Sequence, residues 1–216
     1  MLLIRSSILL LIAFLSFISK SNAYDAINFE ITPLVGYRFG GDFEASGIDT
    51  SDGEETPSIT KIKLTEATNY GLLVAWDVDS KRQGEFLINN YSTQFSQEID
   101  SIASNNNISI TYAHIGGNVP ISDGYFPFYV TGGLGLTHLS PDDTLLDDET
   151  RFSMNVGLAT KFPISEHLSF RFGGRIYATF FNSDSKIFCG QESCAISISS
   201  DLWLQSEINA GLTFRF

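Results

Sequence analysis

His138 and Ser140 stand two positions apart at the end of an alternating apolar stretch, a spacing that puts both side chains on one face of an extended strand. An imidazole can take the proton of a serine hydroxyl when a carboxylate orients the ring, which is the chemistry of a hydrolytic nucleophile. The same pair also reads as a histidine in an interfacial belt beside a loop serine. His114 and His167 have no comparable sequence neighbours and receive no role.

Three other groups of residues carry chemistry. Cys189 and Cys194 are the only cysteines and lie in a polar, turn-rich stretch; in an oxidising compartment they are expected to close a disulfide worth roughly 2 kcal/mol in chain entropy. Asp42, Glu44, Asp49, Asp52, Glu54 and Glu55, then Asp142, Asp143, Asp147, Asp148 and Glu149, form two acidic clusters. Such carboxylates can hold Ca²⁺ or Mg²⁺, but their spacing follows neither an EF-hand nor a nonapeptide calcium repeat. They are read as a solvated surface, with no metal and no cofactor assigned. Glu30, Asp77 and Glu207 fall on the polar faces of alternating segments, as do Arg38, Lys161, Arg171 and Arg175, so a buried charge network is expected wherever those faces turn inward.

What must position these groups is a chain that is exported. Met1 to Arg5 give a basic start, Ile8 to Ile18 run almost wholly apolar, and Ser21 and Ala23 are small residues where a signal peptidase cuts. The apolar run falls short of the ~20 residues of a spanning helix. Residues 1–23 are therefore expected to be a signal peptide and 24–216 a single domain. Loss of Arg5 and Lys20 makes the exported chain two charges more negative than the −12 of the full sequence, which excludes nucleic acid as a natural partner. With 13% aromatics, 18 glycines and 18% charged residues the chain is not disordered.

The domain reads as strands. From the C-terminus, Phe216, Phe214, Leu212, Ala210, Ile208, Leu204 and Leu202 share one face, while Arg215, Thr213, Gly211, Asn209, Glu207 and Gln205 share the other. Leu168 to Phe180, Phe29 to Phe39 and Tyr70 to Val78 alternate in the same way, and further strands are expected near 84–92, 107–119, 126–139 and 151–162. Alternation over some 15 residues exceeds the 5 or 6 of a soluble strand and suits the ~9 to 11 of a tilted membrane strand. No later segment is apolar over helix-spanning length, so membrane residence requires strands.

Connections alternate too: long and polar near 41–66, 93–106, 140–150 and 182–199, short near 79–84, 120–125 and 163–167. Four long and three short connections imply an all-β, closed antiparallel transmembrane β-barrel of about eight strands, with short periplasmic turns and long extracellular loops. Closure also removes exposed sheet edges. Phe126, Phe128, Phe162, Phe170, Phe214 and Phe216 would ring one rim, and Tyr37, Phe39, Tyr70, Phe152 and Phe180 the other.

These strands, the leader and the terminal Phe216 resemble the small outer-membrane barrels of the OmpA and OmpX type. The resemblance implies residence in the outer membrane among lipid and lipopolysaccharide. It also implies that Phe216 is an assembly signal read by the barrel-assembly machinery. No soluble domain is expected after Phe216. A second, partial resemblance rests on His138-x-Ser140, with Gly133 and Gly135 before it and Asn155 to Gly157 after it: it is similar to the lipid A 3-O-deacylase barrels. That likeness implies His138 as base, Ser140 as nucleophile and Glu149 as orienting acid, although Pro141 stands where that family carries asparagine.

An eight-stranded barrel is only wide enough for its interior side chains to fill it. The chain is therefore read as a non-enzymatic outer-membrane barrel with a structural, surface-interaction or minor permeability role. A lipid A ester hydrolase using His138 and Ser140, and a narrow ion-conducting pore, are the alternatives. Oligomeric state is left open.

Overall fold

The structure is a computed structural model, and it describes residues 28–41, 43–49, 56–99, 102–122, 124, 126–142, 147–181, 186–189, 194–197 and 202–216, with the side chains of 43–63, 95–106, 186–189 and 194–197 outside the description. The expected signal peptide lies outside the described residues.

Among the described residues the strands are β1 (Phe29–Phe39), β2 (Phe43–Asp49), β3 (Thr56–Leu64), β4 (Ala67–Asp77), β5 (Gln83–Ile99), β6 (Ile102–Pro120), β7 (Phe128–Pro141), β8 (Glu149–Pro163), β9 (Leu168–Phe180), β10 (Lys186–Cys189), β11 (Cys194–Ser197) and β12 (Leu202–Arg215). Eight of them close a ring: β1 pairs β4, then β5, β6, β7, β8, β9 and β12 follow in order, and β12 returns to β1, every pairing antiparallel. Pro33 has no N–H to offer its neighbour, and the β1–β12 register passes over Thr32 and Pro33 between Ile31↔Phe214 and Leu34↔Gly211.

Period two decides what faces where. Along β1, Phe29, Ile31, Val35, Tyr37 and Phe39 are exposed while Glu30, Thr32, Leu34 and Arg38 are buried. Along β12, Leu202, Leu204, Ile208, Leu212 and Phe214 face out, and Trp203, Gln205, Glu207, Asn209 and Thr213 face in. The exterior is thus apolar and the interior largely polar, the inverse of a water-soluble sheet protein and the arrangement a hydrocarbon surround requires.

The connections differ from their sequence-based expectation. The stretch 93–106 is mostly strand: β5 and β6 run on in continuous register from Gln83↔Asn118 to Ile99↔Ile102. Backbone ladders need no apolar pattern, so Gln94, Asn105, Asn106 and Asn107 carry the hairpin past the point where apolar alternation stops. Within 41–66, β2 and β3 form a hairpin that joins β5 through Lys63↔Ser96 and Leu64↔Phe95. Within 182–199, β10 and β11 pair, with Cys189 opposite Cys194. Their side chains, and the expected disulfide, lie outside the described residues. The long-connection end therefore projects a sheet of β2, β3, β5 and β6 beyond the ring.

Candidate functional site

The inward faces of the eight ring strands build a stack of charged and aromatic groups. At the short-turn mouth, Asp77 accepts hydrogen bonds from Asn28 Nδ2 at 2.9 Å, Gln83 Nε2 at 3.0 Å and Arg215 Nη2 at 3.0 Å. Asp77, Gln83 and Arg215 border an open bowl of about 780 Å³, lined also by Lys81, Tyr129, Glu166 and His167. One step further in, the Lys161 ammonium contacts the Glu30 carboxylate and donates to Gln83 Oε1 at 2.9 Å, with Nζ 5.2 Å from the Tyr129 ring centroid.

Above this level Glu85 takes two guanidiniums, Arg171 at 3.2 Å and Arg175 at 2.8 Å, together with an amide bond from Asn118 at 2.8 Å. Arg175 also donates to Asn155 Oδ1 at 2.8 Å. Gly157 makes room for this cluster, since a Cβ there would stand 2.7 Å from Arg175 Cγ. Next, Glu207 accepts from Arg38 at 2.5 Å, Asn69 at 2.6 Å, Asn89 at 3.1 Å and Asn209 at 2.5 Å. Gly36 serves Asn69 in the same way, because a Cβ at Gly36 would meet Asn69 Oδ1 at 2.2 Å.

The Arg38 guanidinium is 1% exposed and sits among three rings, 4.0 Å from the Tyr177 centroid, 4.7 Å from Tyr112 and 5.1 Å from Tyr91. Ring faces are favourable neighbours for a desolvated cation. The tyrosine hydroxyls are in turn held: Tyr91 and Tyr112 donate to Gln205 Oε1 at 2.7 and 2.6 Å, and the Tyr177 oxygen accepts from Asn89 at 2.8 Å. His114 lies beside them, 2.9 Å from Ser153 Oγ and 5.7 Å from the Tyr112 centroid.

Toward the long-connection end the filling turns apolar, with Ile108, Ile110, Leu139, Phe181 and Trp203 buried in one cluster. Trp203 packs 6.2 Å from Phe181 and donates its indole N–H to the Gly41 carbonyl at 2.6 Å. The barrel is thus occluded twice, by ion pairs and then by this cap.

The sequence placed Glu30, Arg38, Lys161, Arg171, Arg175 and Glu207 on inward faces, and they lie there. Asp77 sits at the mouth with Arg215, not in the stack. Glu85 went unnoticed. The signal was present, for Gln83, Glu85, Leu87, Asn89, Tyr91 and Thr93 share one face, but apolar and polar types are mixed along it.

His138 and Ser140 lie on the outer face, while Glu149 is one position out of phase with the outward Thr150, and each of the three bonds to another partner. Ser140 donates to Asp148 Oδ1 at 2.7 Å, His138 Nδ1 lies 2.9 Å from Thr150 Oγ1, and His138 Nε2 is 3.6 Å from Asp148 Oδ2. Glu149 contacts Arg151 instead. The serine hydroxyl thus donates to a carboxylate, and the β7–β8 register sets Thr150 opposite His138. Among the described residues no group of three or more His, Cys, Asp or Glu side chains is placed to hold a metal ion. At the short-turn end, Asp79 accepts from the backbone N–H groups of Lys81 and Arg82 at 2.9 and 2.7 Å and from the Arg82 guanidinium at 2.6 Å. Those donors hold its carboxyl down to about 2.

A family model described as outer membrane protein beta-barrel domain matches residues 8–216. Among solved structures, the fold is similar to outer membrane protein OprG from Pseudomonas aeruginosa, with a TM-score of 0.60 at 13% identity over 90% of this chain and 98% of that one. It is also similar to AlkL, at 0.52 and 14% over 92% and 94%. The third likeness is to Neisserial surface protein A, at 0.51 and 9% over 87% and 97%. At these identities the likeness is one of fold. A search of the curated proteins found no match.

Proposed function

This chain belongs to the outer membrane protein β-barrel family and resides in the outer membrane, and on that premise we propose that it is a non-enzymatic barrel that works through its exterior and its extracellular end. The carrying observation is the filled interior, with Arg38 caged by Glu207 and three tyrosines beneath the Trp203 and Phe181 cap. A barrel of this girth so occupied leaves no diffusion path past Arg38, and the bowl at the short-turn mouth ends on the Glu30 and Lys161 pair. The projecting sheet of β2, β3, β5 and β6 supplies surface for structural or surface-interaction roles.

Residues 1–23 act as the signal peptide, and the mature chain lies among lipid and lipopolysaccharide. Phe216 lies at the periplasmic rim, its backbone N–H bonded to the Phe29 carbonyl at 2.9 Å; it serves as the signal for the barrel-assembly machinery. Planar-bilayer recordings of the purified protein test the reading. Traces without steps above background support it, and reproducible unitary steps overturn it in favour of a narrow pore.

A further inference from the structure

The strand order sets the turn after β4 and the turn after β8 four strands apart around the ring, so they face each other across the short-turn mouth. Eight strands spaced ~4.8 Å apart and tilted ~40° make a ring about 16 Å wide. Both turns are pinned by their own backbone. Val78 N–H donates to the Arg82 carbonyl at 2.9 Å and Asp79 caps the Lys81 and Arg82 N–H groups, while Ile164 and Ser165 N–H both donate to the Leu168 carbonyl at 2.9 Å.

From the first turn Lys81, and from the second Glu166 and His167, line the bowl of about 780 Å³. Among the described residues these three side chains make no hydrogen bond and no ion pair. The other charged groups of the bowl are matched: Glu30 with Lys161, Asp77 with Arg215, and Asp79 with Arg82. Lys81 and Glu166 are thus unmatched charges of opposite sign on facing, rigid turns. Beneath them the floor is built, with Glu30 6% and Lys161 8% exposed.

The geometry points to this bowl as a binding site for a short zwitterionic peptide, with its carboxylate on Lys81 and its ammonium on Glu166. An ion of one sign is disfavoured, since an anion meets Glu30, Asp77 and Glu166 and a cation meets Lys81, Lys161 and Arg215. A ligand charged at both ends satisfies both walls. The span between the two side chains suits two or three extended residues at ~3.3–3.6 Å each, and the volume lies within the ~300–1,000 Å³ of small-ligand clefts. Ser80, Ser169 and Tyr129 line the wall and offer hydroxyls to peptide groups. The Glu30 and Lys161 pair and the Glu85 cluster above it close the floor, so the peptide binds and does not pass. This site lies at the opposite end from the surface that the proposed function uses. In the periplasm the same chemistry is offered by free peptides and by the stem peptides of the cell wall.

The test is NMR of the full mature protein in nanodiscs, following the Lys81 ammonium and the Glu166 carboxyl while trialanine is added. Saturable shifts at both groups are expected, with trialanine amide and N-acetyl-trialanine, each lacking one charge, binding about fivefold more weakly. Lys81 and Glu166 are exposed, so the double variant Lys81→Gln, Glu166→Gln should keep its heat-modifiable mobility and bind trialanine about tenfold more weakly. Purified cell-wall sacculi separate the two sources: co-sedimentation of the wild type but not of the double variant assigns a wall peptide, and trialanine binding without co-sedimentation assigns a free one. No saturable shift with trialanine, equal binding of the two blocked peptides and trialanine, or unchanged affinity in the double variant would each overturn the inference.

Discussion

Arg38 reaches Glu207 across the β1–β12 seam, at paired register positions, with both side chains 1% exposed. The bond joins the first ring strand to the last, so closure of the barrel and neutralisation of a fully buried cation are one event. The surrounding Asn69, Asn89 and Asn209 amides complete the carboxylate's hydrogen bonding, which is the condition under which a buried ion pair is tolerable.

Removing one partner therefore leaves an uncompensated charge. Glu207→Ala is expected to cost about 3–5 kcal/mol, read as a lower urea midpoint for unfolding in detergent micelles. The double variant Arg38→Met, Glu207→Leu should recover much of that loss. Glu85→Ala, which strands both Arg171 and Arg175, should be at least as damaging as Glu207→Ala. A loss below about 1 kcal/mol for either single variant contradicts the charge stack.

The outer His138 and Ser140 pair gives a separate expectation. Lipid A mass spectra from cells producing wild type and His138→Ala should be identical, because Ser140 is bonded to Asp148 and Glu149 to Arg151. An acyl chain lost only with the wild type would make the protein a hydrolase.

How far the sequence spoke depended on the contrast between faces. In β1, β9 and β12, apolar and polar residues alternate cleanly, so orientation and most of the charge stack were legible from Glu30, Arg38, Arg171, Arg175 and Glu207. In β5 the inward face mixes Glu85 with Leu87 and Tyr91, which hid the carboxylate that two arginines share. The Trp203 and Phe181 cap was hidden because an apolar residue on the inward face of such a strand looks like a fault in the alternation. The upper halves of β5 and β6 read as loop because ladder bonds between polar residues leave no hydropathy pattern. Asp148 is separated from His138 by a connection, and only the strand register brings the two together.

The periplasmic turn after β4 carries its own pH signature. Asp79 sits at about 2 in the folded protein, lowered by the N–H groups of Lys81 and Arg82 and by the Arg82 guanidinium; an unfolded aspartate titrates near 4. A depressed carboxylate stabilises the fold above the unfolded value, and that contribution is lost as pH falls from about 4 through about 2. A ¹³C carboxyl titration should place Asp79 near the lower figure. A midpoint near 4 would show the turn bonds absent in solution.

The β10–β11 hairpin sets Cys189 opposite Cys194, and opposed strand positions bring Cα atoms within disulfide range. Protein extracted without reductant should resist alkylation at both cysteines and gain two adducts after reduction. Two adducts before reduction would rule the bridge out.

The most direct measurement is hydrogen exchange of the Arg38 guanidinium by NMR. A barrel filled around this side chain predicts that its bonded Nη protons exchange with D₂O as slowly as amides in the middle of β1 and β12. Exchange as fast as that of the partly exposed Arg215 would mean a water column runs past Arg38, and the sealed interior would be wrong.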